Sequence, residues 1–228
     1  MIFPDGQGLV DQGTSVTTTE RGIYLELPPR RVGDEQRREH ALQAAIDAIV
    51  ERGYAHARFA DVSRLSGIAV STLQYYFGSR EAMLIEAMTV AANQDLAQLW
   101  AQVDLTISDA WERVRRLVDY ALAINLNDTR EWAILLQLAM VSLADDEVRE
   151  VTRAYDRLWR IPFAEVVRRG VEEGAFTPRE DPEFVASWMV STVDGIWFGV
   201  LMGREEVLLE RQRQALIEDL RWWLGLTE

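Results

Sequence analysis

Residues 71–77, Ser-Thr-Leu-Gln-Tyr-Tyr-Phe, set two hydroxyls, a carboxamide and two phenols close together, and Arg80 follows shortly after. None of the groups in this heptapeptide carries a charge at neutral pH. Their common capacity is hydrogen bonding, to phosphate oxygens and to base edges, with apolar contact to thymine methyls. On a helix, Leu73 and Phe77, four apart, point to one side, while Ser71, Thr72, Gln74 and Tyr75 fall on the other. Arg80 adds charge for a phosphate strand, with help from Arg58, Arg30 and Arg31. A plainer reading stands beside this one, in which Tyr75 and Tyr76 pack and Gln74 is merely solvated; Tyr76 is assigned to packing in either case.

Other chemistries find little support. There is no cysteine to serve as nucleophile or metal ligand, and the two histidines, His40 and His56, sit at apparently exposed positions in the N-terminal third. No glycine-rich phosphate loop, metal-spaced histidine or acid set, or elbow-type serine motif occurs, so no catalytic residue, metal or cofactor is expected. The formal net charge of −13 is unevenly spread. Residues 30–85 hold eight arginines against seven acids, which leaves that segment near neutral and eligible for a phosphate partner. All basic residues are arginine, whose planar fork suits phosphate. The apolar run at 184–202 approaches spanning length, but Asp194 lies in its middle and a buried helix is the better reading, with no membrane partner. No leader-like start is visible, and a cytoplasmic protein is expected.

These groups must be positioned by helices. The first 33 residues are glycine- and threonine-rich and aperiodic and are expected to form a flexible tail, although "IYLEL" at 23–27 alternates and could pair or dock. From Asp34, Leu42, Ala45, Ile46 and Ile49 follow the helical period, ending at Gly53. Phe59, Val62 and Leu65, then Leu73, Tyr76 and Phe77, mark two short helices separated by "SGIA". Ser79 caps a long fourth helix, Asp109, Asp128 and Asp181 cap later ones, and Pro162 should kink or split its helix. The expected fold is all-α. A helix-turn-helix domain is placed at residues 34–80, with its third helix in the DNA major groove, and a helical domain at 81–228.

The stretch at 51–84, "ERGYAHARFADVSRLSGIAVSTLQYYFGSREAML", resembles the DNA-binding signature of the TetR family of bacterial transcriptional regulators. Gly53-Tyr54, Asp61-Val62, Gly67-Ile68, Thr72-Leu73, Tyr76-Phe77 and "GSRE" carry the likeness. The resemblance implies that Arg58, Val70, Ser71, Thr72, Gln74, Tyr75 and Arg80 face the DNA. Arg58 stands where a capping threonine is usual and Ala69 where a capping serine is usual, so the two short helices should start by another device, while Val70 in place of a common lysine and Ser71 in place of a common glycine remove a usual phosphate contact.

The C-terminal half is more loosely similar to the BetI-type group through "REWAILLQLAM" and "SWMVSTVDGIWFGVLMG". The likeness implies a homodimer built on the last two long helices and a small-molecule effector. Gly195, Gly199 and Gly203, four apart, give a smooth stripe for a close helix approach, and Leu216 and Leu220 are assigned to the same interface; the stripe equally suits packing inside one subunit. All eight tryptophans lie at or beyond residue 100, enough to line an apolar cavity and also enough simply to fill a core. Trp100, Trp111, Trp132, Trp159 and Trp188 are the aromatic candidates, and Asn125, Gln137 and Asp194 the polar ones. The function expected is a homodimeric repressor released from a palindromic DNA operator by an apolar or amphipathic molecule, the alternative being a helical ligand-binding or adaptor protein without DNA binding.

Overall fold

A computed structural model describes residues 16–19, 22–25, 35–122 and 130–226. Asn125, Asp128, Arg30 and Arg31 lie outside the described residues. Two short strands, β1 (Val16–Thr19) and β2 (Gly22–Leu25), precede nine helices among the described residues: α1 (Glu35–Arg52), α2 (Phe59–Ser66), α3 (Val70–Phe77), α4 (Arg80–Trp100), α5 (Ala110–Ala121), α6 (Arg130–Ser142), α7 (Asp146–Glu172), α8 (Pro182–Leu201) and α9 (Glu206–Trp223). The fold is all-α apart from this ribbon. Within the stretch expected as a tail, β1 and β2 pair antiparallel in the register Val16–Leu25 to Thr19–Gly22.

Helix ends follow the sequence signals closely. Gly53 terminates α1 at φ +76°, a conformation costly for a residue with a Cβ, and its N–H donates to the Ile49 carbonyl at 2.7 Å. Ser79 Oγ accepts from the Ala82 N–H at 3.0 Å, Asp109 from Trp111 at 2.9 Å and Asp181 from Phe184 at 2.8 Å. Pro162 does not split its helix: α7 runs continuously from Asp146 to Glu172. The missing N–H removes one backbone bond, while burial of Leu158, Trp159 and Phe163 on either side holds the chain helical.

The chain forms two compact units, Met1–Asp95 with Arg130–Tyr155, and Leu96–Thr129 with Asp156–Glu228. Each unit is assembled from two separate stretches of sequence. Met83, Leu84, Ala87 and Met88 of α4, Ile134 and Leu138 of α6, and Val148 of α7 share one core with Leu42, Ile46, Ile49, Val62 and Leu73. One long and two short helices bury too little apolar surface alone, and the later helices complete the core. In the second unit, the Trp197 indole donates to the Ala121 carbonyl at 2.7 Å, and the buried Arg113 donates to the Ile107 carbonyl at 2.7 Å and to Glu173. By length and apolarity α8 could cross a membrane, but half of its apolar stretch is buried inside the protein.

Candidate nucleic-acid interface

The turn between α2 and α3 is set by Gly67, at φ +70°, whose N–H donates to the Ser63 carbonyl at 2.9 Å. The Ser66 hydroxyl braces the same turn, donating to the Val62 carbonyl at 2.7 Å and accepting from the Ile68 N–H at 3.2 Å. In place of the usual threonine cap, the Asp61 carboxylate accepts the Arg58 N–H at 3.0 Å, which is the reverse half of a capping box. Helix α3 starts at Ala69 with no side-chain cap, so its leading N–H groups and positive dipole end are left for an external acceptor.

On α3 itself Leu73, Tyr76 and Phe77 are buried, with Tyr76 and Phe77 edge to face at 6.2 Å. The opposite side presents Ser71, Gln74 and Tyr75, the last 60% exposed, with Val70 and Thr72 half-buried at the margin. This is the division expected from the spacing: a polar hydrogen-bonding strip on a helix whose other face is fixed in the core.

The arginine roles need correction. Arg80 is not a free cation: only 18% of its side chain is exposed, its Nε donates to the Ala57 carbonyl at 2.6 Å, another nitrogen to the Tyr54 carbonyl, and a third to Glu81 at 3.0 Å. Its guanidinium also lies 5.2 Å from the Tyr54 ring centroid. The forked side chain therefore clamps the α1–α2 connection to the start of α4 instead of reaching outward. Burial pushes the Tyr54 phenol above its ordinary pKa, against the lowering effect of Arg80. Arg58 is exposed but folds back, donating to the carbonyls of Ala55 at 3.0 Å and Ala57 at 3.2 Å.

A second tie was missed from sequence. Arg38 of α1 and Glu86 of α4, 4% and 3% exposed, form a forked pair with N–O separations of 2.6 and 2.5 Å. The Arg38 guanidinium also stands 4.9 Å over the ring of Phe77, the last residue of α3. One buried cation thus joins α1, α3 and α4. The signal was present: Arg38 lies four residues before Leu42, in phase with the buried stripe. His40 Nε2 lies 3.1 Å from the Ser66 carbonyl, joining α1 to the end of α2.

Gln137 is also reassigned. Its carboxamide oxygen accepts the Tyr54 N–H, and its nitrogen donates to the Ile49 carbonyl at 3.4 Å, so it braces the α1–α2 connection rather than lining an effector pocket. The tryptophan candidates are divided between the two units. Trp132 belongs to the first unit and Trp100, Trp111, Trp159 and Trp188 to the second. Trp159 is core, 5.6 Å from Phe163; Trp188 stacks 5.8 Å from Trp223; Trp111 receives the Arg221 guanidinium at 5.3 Å. A cavity of about 90 Å³ in the first unit is lined by Gln43, Ile46, Ala91, Gln94, Asp95, Ile134 and Leu135, none of them among the expected residues. Asp194 on α8 keeps a surface open to water, yet surrounding protein raises its pKa to about 6, with repulsion from Asp156 adding to the effect of burial.

The expected dimer residues separate likewise. Leu216 and Leu220 are buried within the second unit. Gly203 lies beyond α8 at φ +73°, and a Cβ on Gly199 would strike the Arg204 guanidinium, so both glycines serve the α8–α9 turn. A Cβ on Gly195 would meet nothing, and the exposed large apolar side chains of these two helices are Phe184 and Phe198 of α8, Met202 just beyond it, and Val207, Leu208 and Trp222 of α9.

Residues 41–87 match the family described as "Bacterial regulatory proteins, tetR family", and residues 110–221 match "BetI-type transcriptional repressor, C-terminal". The HTH-type transcriptional regulator BetI 1 of Chromohalobacter salexigens is 22% identical over 182 residues, 78% of this chain and 85% of that one. The BetI regulator of Burkholderia mallei is 26% identical over 171 residues, 74% of this chain and 84% of its own. Among solved structures, a transcriptional regulator of Saccharomonospora viridis in complex with choline superimposes with a TM-score of 0.72 at 27% identity, covering 83% of this chain and 97% of that one. A TetR regulator of Haloarcula marismortui gives 0.74 at 21%, covering 84% and 100%. With both halves matched in order, and a helix-turn-helix that turns its polar strip outward, the chain belongs to the TetR family of DNA-binding transcriptional regulators, its C-terminal half being of the BetI type.

Proposed function

We propose that the protein is a cytoplasmic homodimeric repressor that binds a roughly palindromic operator and is released from it by a small organic cation. The observation that carries the DNA half is the strip of Ser71, Gln74 and Tyr75 exposed on a helix fixed by buried Leu73, Tyr76 and Phe77. Thr72 and Val70 flank the strip, and the uncapped start of α3 supplies backbone N–H groups for a phosphate. Because Arg80 is engaged internally, base and backbone hydrogen bonds carry more of the contact than free charge does. Dimerisation through the exposed apolar residues of α8 and α9, with Gly195 open for a close approach, would set two α3 helices on successive major grooves.

The effector class rests on the choline-bound relative and on the acidity of this chain, −13 overall, which favours a cation. An adaptor without DNA binding is disfavoured by the match of residues 41–87. The direct test is selection of bound duplexes from a random pool at near-physiological salt. A pseudo-palindrome with half-sites about one helical turn apart is expected; a folded protein that enriches no motif would overturn the reading. Choline added to the selected complex tests the effector class, and unchanged affinity at millimolar choline would remove that ligand.

A further inference from the structure

The β1–β2 ribbon lies ahead of the region matched to the family, which begins at residue 41. Among the described residues, Asn93 of α4 holds its last strand residue. The Leu25 N–H donates to Asn93 Oδ1 at 2.9 Å, and Asn93 Nδ2 donates back to the Leu25 carbonyl at 3.1 Å. A single carboxamide thus satisfies both backbone groups of the last strand residue, as a neighbouring strand would. Leu25 is only 2% exposed, so the contact is apolar as well as polar.

The point of attachment is informative. Upstream on α4, Met83, Leu84, Ala87 and Met88 lie in the core shared with α1–α3, and Glu86 holds Arg38. Downstream, Asp95 is the last α4 residue of the first unit and accepts the Tyr155 hydroxyl at 2.5 Å. Only Gly78 and Ser79 separate α4 from α3, so the placement of α4 governs that of the polar strip.

We infer that Asn93 is a positioning residue for DNA binding and that the N-terminal ribbon is an intramolecular strap holding α4. The inference rests on the DNA-reading function proposed above. A strap that orders α4 before DNA arrives removes an ordering cost from the binding step, so its release weakens operator binding without any contact between strap and DNA being required. Any effector that displaces α4 at this point must also break both amide contacts and expose Leu25.

The test uses the full chain and the duplex selected by the wild-type protein. Asn93→Ala removes both hydrogen bonds. Asn93→Asp keeps an acceptor for the Leu25 N–H but sets an oxygen against the Leu25 carbonyl, and serves as the second variant should the first not fold. The expected result is faster amide exchange in residues 22–25, unchanged exchange in the cores of α1 and α3, and operator affinity lower by about five- to tenfold for the loss of two hydrogen bonds. Ribbon exchange that stays slow would refute the attachment. A freed ribbon with affinity within about twofold of wild type would refute the coupling. Failure of the wild-type protein to select any duplex would instead sink the DNA reading, and with it the coupling, while ribbon exchange would still report on the attachment.

Discussion

Tyr75, proposed above to read DNA, and Arg80, which is bonded within the framework, lie five residues apart, and substituting each in turn distinguishes the two roles. Tyr75 is 60% exposed and outside the core, so Tyr75→Ala should leave stability within about 0.5 kcal/mol of wild type, as for a surface change. Loss of one base or phosphate contact costs about 1–3 kcal/mol, and a dimer loses one in each subunit, so operator affinity should fall by roughly 30-fold or more. Arg80→Ala removes two bonds from a guanidinium to the Tyr54 and Ala57 carbonyls; the third, to the exposed Glu81, contributes little. At about 1.5 kcal/mol for each bond to a charged donor, reduced for partial solvent access, the loss is roughly 2–3 kcal/mol. Arg80→Lys is the informative variant, because an ammonium keeps the charge but cannot fork onto two carbonyls. Stability is read by urea unfolding followed by circular dichroism, and affinity by titration of a labelled operator. An Arg80→Lys protein as stable as wild type, or an Arg80→Ala protein that loses affinity at full stability, would refute the clamp and restore Arg80 as a phosphate contact.

Three further outcomes follow from the same geometry. Glu86→Leu strands a buried guanidinium and should cost about 3–5 kcal/mol, while Arg38→Met combined with Glu86→Leu recovers most of it; amide exchange in α1 and α3 measures both. Asp194 has a folded-state pKa raised from 3.8 to about 6, so the folded chain holds its proton more tightly than the unfolded chain. Its stabilising contribution is full below the unfolded value and lost as pH rises through about 6; Asp194→Asn should therefore raise the melting temperature at pH 8 and leave it unchanged near pH 3.5, and equal shifts at both pH values would contradict the assignment. Gln137→Ala should speed amide exchange at Tyr54, with a stability loss of about 1 kcal/mol, since it removes the brace on the α1–α2 connection.

The helices, their caps and the two faces of α3 were legible because they depend on neighbours within one or two turns. Gly53, Gly67, Asp109 and Asp181 each act where their type and position require. The split between Leu73, Tyr76 and Phe77 on one side and Ser71, Gln74 and Tyr75 on the other follows from helical periodicity alone.

What only the tertiary structure decided is how long side chains are spent across the chain. Arg80 reads in sequence as a phosphate contact and Gln137 as a pocket group, yet the carbonyls of Tyr54 and Ala57 engage the first and the Tyr54 N–H the second. Leu216 and Leu220 look like any amphipathic stripe, and packing assigns them to the interior while Phe198, Met202 and Val207 stay outside. Asn93 carries no sequence signal at all, because its partner lies 68 residues away. Local backbone geometry repeats every turn and is written in short spacing; hydrogen bonds and burial between distant segments depend on where the chain returns, which spacing along the sequence does not encode.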